Sequence, residues 1–160
     1  MLEWLAGSAY ATWVDESWGW PLALTIHALG MATVVGFMAI IGLRLLGAFP
    51  NMPYSSLGKL IPFISVAVVL QAISGFTLWV TKPAQYLGDV MFDTKFTLVI
   101  VACIAMIYFH VTFRREVASW DAAGAVTARG IRVTAVAFLL WAAVTIGGRL
   151  TAYLGSLYLR

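Results

Sequence analysis

Charge is what this sequence has least of. Only 11% of its 160 residues are charged, where a soluble domain carries about 25%. A soluble chain of this kind would leave large apolar patches in water, so an ordinary soluble domain is excluded. Cysteine is nearly absent. Cys103 is the only one, which rules out an internal disulfide or a Cys-rich metal site. Lying inside an apolar run, it reads as a small hydrophobe. Histidine is limited to His27 and His110, and no His-x-x-x-His or Glu-x-x-His spacing occurs. There is no glycine-rich phosphate loop and no basic run interleaved with aromatics. With a net charge of only +3, nothing points to nucleic acid. No nucleophile–base pair is readable, so no enzymatic activity is assigned. No repeat, low-complexity segment or linker divides the chain, which reads as one domain over residues 1–160.

What is there is apolar. Hydrophobic residues make up 62% of the chain, and the mean hydropathy is +0.91. The hydrocarbon core of a bilayer is about 30 Å thick and takes roughly 20 helical residues. Four stretches fit: about 21–43, 60–81, 96–113 and 133–157. They must be helices, because lipid cannot satisfy a free backbone N–H or C=O. Pro50 and Pro53 in the first connection and Pro83 in the second mark helix ends. The expected fold is therefore all-α, an integral membrane four-helix bundle. Residues 1–19 differ. Glu3 argues against a signal peptide. Leu2, Leu5, Ala9 and Trp13 recur at helical spacing, and Trp4, Trp13, Trp18 and Trp20 cluster before the first span. Tryptophan favours the headgroup layer, so this segment is expected to be a short amphipathic helix at the interface.

Charge placement predicts the orientation. Arg44 and Lys59 follow the first span, and Arg114, Arg115, Arg129 and Arg132 follow the third; Lys82, Lys95, Arg149 and Arg160 lie on the other side. Basic residues favour the cytoplasmic face, so both termini are expected outside, in a bacterial inner membrane.

Counting along the spans brings several polar groups to one depth. His27 lies 17 residues before Arg44, and Arg149 lies 17 residues after Arg132. At about 1.5 Å per residue, both stand roughly 25 Å above the inner boundary. Lys95, 19 residues before Arg114, comes to roughly 28 Å, and Thr77 of the second span to a similar height. Trp141, Thr145, Arg149 and Tyr153 follow at four-residue intervals and share one helix face. Charged groups within a membrane are costly and usually face the bundle interior. An anion site near the outer face is the expectation, set against headgroup snorkelling of Lys95 and Arg149 and a merely core-packed His27. His110 lies about 6 Å above the inner boundary, roughly 19 Å below His27. One haem cannot join the two within a chain, although two copies could pair His27 with His27. Ala32 and Gly36 form a small-xxx-small pair suited to close helix packing.

Several ordered motifs then resemble a known group. Trp18–Pro21 is followed by Ile26-His27-Ala28-Leu29-Gly30, then Leu43-Arg44-Leu45-Leu46-Gly47. Further on come Ser74-Gly75, Phe92-Asp93-Thr94-Lys95-Phe96, and Gly148-Arg149-Leu150-Thr151-Ala152-Tyr153. Together they resemble a bacterial four-span family of unassigned activity, domain of unknown function 6644, over nearly the whole chain. The family pattern carries acids where this chain has Leu24 and Gly42. The resemblance implies the four-span fold and singles out His27, Lys95, Arg149 and Tyr153 over His110; it implies no chemistry.

The functional expectation is an inner-membrane subunit that binds a redox cofactor, haem b or a quinone, near the periplasmic face. His27 would be the haem-iron ligand or a hydrogen-bond donor to a quinone. Lys95 and Arg149 would hold propionates or a quinone oxygen, with Tyr153, Thr77 and Thr145 in support. The bilayer, a second copy or a larger membrane complex, and a periplasmic redox protein are the expected partners. The alternatives are a ligand-free structural or assembly anchor and a small-anion carrier or channel subunit.

Overall fold

The structure is a computed structural model that describes residues 3–83 and 90–158, with side chains described as far as Gly148. It is all-α. Two short helices, α1 (Glu3–Ala6) and α2 (Ala9–Glu16), precede the long α3 (Gly19–Leu45). A 3-10 helix, η1 (Tyr54–Leu60), runs directly into α4 (Ile61–Val80). Then come α5 (Val90–Ala123) and α6 (Ala128–Tyr158). Among the described residues, four helical stretches are long and apolar enough to cross a membrane. This fits a multi-pass membrane protein, with outward-facing Phe63, Phe76, Ile104 and Leu139 left for lipid.

The ends of the helices follow local chemistry. Gly47 adopts φ +102° just beyond α3, a left-handed conformation that glycine enters without a Cβ penalty. Its N–H donates to the Arg44 carbonyl, and that of Ala48 reaches back to the Leu43 carbonyl at 2.9 Å. These two bonds are the Schellman closure of a helix. Pro62 sits in the first turn of α4, where its missing N–H costs nothing. The third span differs from its sequence expectation of 96–113, because α5 continues to Ala123. The apolar run ends where expected, but packing carries the helix onward: Trp120 is buried against Tyr54 and Phe113, edge to face. Asp121 accepts hydrogen bonds from the backbone N–H groups of Tyr54 (2.6 Å) and Ser55 (3.1 Å).

Arg44 belongs to the same assembly at this end of the bundle. Although charged, it is only 6% exposed. Its Nε donates to the Met52 carbonyl at 2.7 Å, and its guanidinium lies 3.9 Å over the Tyr54 ring. It holds the α3–η1 connection together instead of reaching into headgroups.

The helices are not evenly spaced. α3 packs against both α4 and α6, and α5 packs against α6. Among the described residues, α4 and α5 meet along a seam of side chains from the common core, with few close approaches of their backbones. α3 and α4 lie close at Gly30 and Gly75, where an added Cβ would come within 3.0 Å of Gln71 Cγ and 3.2 Å of His27 Cε1 respectively. Ala32 and Gly36, the small pair suited to close helix packing, are exposed. The α2 helix folds back on α3 and α4, burying Ala11 and Val14 while Trp4, Trp13 and Trp18 stay exposed.

Candidate functional site

The apolar core is displaced toward one end. It runs from Trp120 and Tyr54 through Phe109, Met38 and Ile64, and stops at Val34, Ala67, Ala102 and Val144. One turn beyond that limit, the inward positions become small or polar: Gly30 and His27 on α3, Gln71, Ser74 and Gly75 on α4, Lys95 on α5 and Gly148 on α6. This is the end at which the N-terminal helices sit.

His27 is half-buried, and its Nδ1 lies 2.9 Å from Ser74 Oγ. Serine has one hydroxyl hydrogen. That hydrogen is committed to the Leu70 carbonyl, 2.6 Å away on the same helix. Ser74 Oγ must therefore accept, and His27 Nδ1 must carry the proton. The ring is held as the Nδ1–H tautomer, which leaves the Nε2 lone pair free. The Gln71 backbone carbonyl is a second acceptor for the ring, and no side-chain partner of Nε2 occurs among the described residues. The sequence expectation allowed His27 to act as donor or ligand; in this tautomer Nε2 is an acceptor or a ligand.

Lys95 comes from α5 and crosses α6 at Gly148, where an added Cβ would lie 3.5 Å from both Cε and Nζ. The lysine is half-buried and near enough to His27 for its charge to be felt there. Lys95 of α5 and His27 of α3 thus lie near one another. The side chains of Arg149 and Tyr153, on α6, lie outside the described residues.

Thr77 and Thr145 are engaged elsewhere. The Thr77 hydroxyl donates to the Ile73 carbonyl (3.0 Å) and accepts from Tyr10 Oη at 2.8 Å, tying α2 to α4. Thr145 donates to the Trp141 carbonyl one turn earlier at 3.0 Å. His110 is remote from the layer. It packs against Phe109 with ring centroids 5.6 Å apart, and its Nε2 is buried without a partner among the described residues.

Gln71 is the residue that reading the sequence overlooked. It is 8% exposed, and its amide nitrogen has no hydrogen-bond partner among the described residues. A buried donor left unmade costs about 1–3 kcal/mol, and such groups call for an explanation. Gln71 stands one turn before Ser74 and lies against Gly30. The available signal was an amide at i and a hydroxyl at i+3 in a span with no ionisable residue. The layer therefore presents one free acceptor, His27 Nε2, one cation, Lys95, and one unmatched donor, the Gln71 amide. Among the described residues, no group of three or more His, Cys, Asp or Glu could hold a metal ion by itself.

No protein-family model matches this chain, and neither a curated protein nor a solved structure does.

Proposed function

We propose that this polar layer binds a redox cofactor, a quinone or haem b, and that the protein is an electron-transfer subunit of a bacterial inner membrane with the layer toward the periplasm. The observation that carries this reading is the hydrogen bond from His27 to Ser74. Orienting an imidazole through Nδ1–H, so that Nε2 is presented, is how proteins prepare a histidine for a metal or a proton. The positive field of Lys95 and the idle Gln71 amide suit an oxygen acceptor close by.

A quinone uses more of this inventory. Lys95 and Gln71 would donate to its carbonyl oxygens, and His27 Nε2 would accept from the hydroxyl of its reduced form. The quinone would supply the two-electron, two-proton redox chemistry, and His27 Nε2 would be a proton acceptor beside it. For haem, which would supply one-electron transfer, His27 Nε2 would hold the iron and Lys95 would pair with a propionate; His27 of a second copy would be a further ligand.

The test is to extract the protein in a lipid-preserving polymer, record its visible spectrum and analyse its solvent extract. A Soret band or about one quinone per chain is expected, lost in His27→Ala. A well-folded protein with neither would be a ligand-free anchor subunit, and this reading would be wrong.

A further inference from the structure

We propose that the inner end of the α4–α5 seam is a binding site for an anionic phospholipid, with Arg114 holding its phosphate. A groove of about 280 Å³ opens there, walled by Ser55, Gly58 and Pro62 on one side and by Phe113, Arg114 and Val117 on the other. That volume is about nine times a water molecule's share of the liquid, too large for one or two bridging waters. Its walls are mixed: Val117 and Pro62 offer apolar surface, and Arg114 offers hydrogen-bond donors, those of Ser55 being held by the Asp121 carboxylate.

The charge at this mouth is uncommitted. Arg44 is held by the Met52 carbonyl, Arg129 pairs with Glu116 and donates to Tyr108, and Arg132 donates to the Ala128 carbonyl. Arg114 is exposed and has neither a hydrogen bond nor an ion pair among the described residues. Arg115 beside it and Lys59 on η1 are equally exposed, and the three cations outnumber the nearby Asp121 carboxylate, which the Tyr54 and Ser55 N–H groups hold. Arg114 also ends the apolar run 96–113 of α5, the depth at which headgroups begin.

A guanidinium recognises a phosphodiester with two parallel hydrogen bonds. The apolar walls and the seam above them take acyl chain, which a soluble anion does not have. Zwitterionic lipids share the phosphate but would bring an ammonium against Arg114, Arg115 and Lys59. Basic sites between spans are a known form of anionic-lipid recognition. This inference is independent of the outer polar layer.

The experiment is native mass spectrometry of the full chain, delipidated in detergent and titrated with phosphatidylglycerol or phosphatidylcholine of identical acyl chains. Phosphatidylglycerol is expected to bind about tenfold more tightly, the size of one charge-assisted contact. Arg114→Gln should abolish that preference. Gly58→Met should weaken phosphatidylglycerol binding without altering charge, since Gly58 lies against Phe113 in the groove wall. Equal affinity of the wild-type chain for the two lipids would overturn the proposal, even if both variants failed to fold. So would a folded Arg114→Gln variant that keeps the preference, a folded Gly58→Met variant that binds phosphatidylglycerol like the parent, or inorganic phosphate that competes as well as the lipid.

Discussion

His27 Nδ1 and Ser74 Oγ stand 2.9 Å apart, and the direction of the bond between them is fixed by a third atom. The Leu70 carbonyl, 2.6 Å from the same oxygen, takes the serine hydrogen. A back-bonded serine, ordinarily a minor disturbance of a helix, here determines which nitrogen of a histidine on the neighbouring helix carries the proton.

The first prediction concerns that tautomer. In nitrogen-15 NMR of the protein labelled at histidine, His27 should show the Nδ1–H form. Ser74→Ala should shift the population toward Nε2–H and weaken cofactor binding by about 10–100-fold, as loss of an orienting partner does at metal sites. Identical tautomer signals in the two proteins would disprove the relay.

Gly75→Ala tests the closeness of α3 and α4. The new Cβ would lie 3.2 Å from His27 Cε1, so the ring or the helix must shift. Overpacking of this kind costs about 1–3 kcal/mol. Unfolding in mixed micelles should register that loss, with a parallel loss of bound cofactor. A variant as stable as the parent would mean that the helices are farther apart than described.

The Tyr10–Thr77 bond is the polar tie between α2 and the bundle. Tyr10→Phe should cost about 1 kcal/mol, confined to the N-terminal helices. Limited proteolysis should cut near α2 faster, while the thermal transition of the spans stays where it was. A shift of the whole transition instead would make α2 part of the cooperative core.

Arg44 is expected to be among the most sensitive positions at its end of the bundle. Arg44→Ala removes two bonds to loop carbonyls and the contact with Tyr54. Together these are worth roughly 2–4 kcal/mol. Arg44→Lys should recover less than half of that, because a point-like ammonium cannot stack and fork at once. Thermal unfolding of the two variants decides it; a lysine variant equal to the parent would show that charge alone matters.

Much of this protein is written in its composition. Four apolar runs and the exclusion of charge force four helices, because lipid offers no partner for an unpaired backbone group. Helix stops follow from Gly47 and the prolines for equally local reasons. The depth of His27 and Lys95 was also legible, since a helix advances by a fixed rise per residue. Depth along a helix is one-dimensional, however, and rotation around it is not fixed by counting. Ala32 and Gly36 have the spacing of a packing pair yet face outward, and Gly30 and Gly75 make the contact instead. Thr77 and Thr145 have the right height, but their hydroxyls are engaged with Tyr10, Ile73 and Trp141.

The sequence by itself determined that the chain is an all-helical membrane protein with an imidazole and an ammonium at one level, because hydropathy and helical rise are properties of the chain alone. Only the tertiary structure decided that His27 faces Ser74 and that the Gln71 amide nitrogen is buried without a partner among the described residues. It also decided that Arg44 is enclosed while Arg114 is exposed, and that the α4 and α5 backbones come close at few points. Those outcomes depend on which helix faces meet, and that is fixed by side-chain packing between segments far apart in the chain.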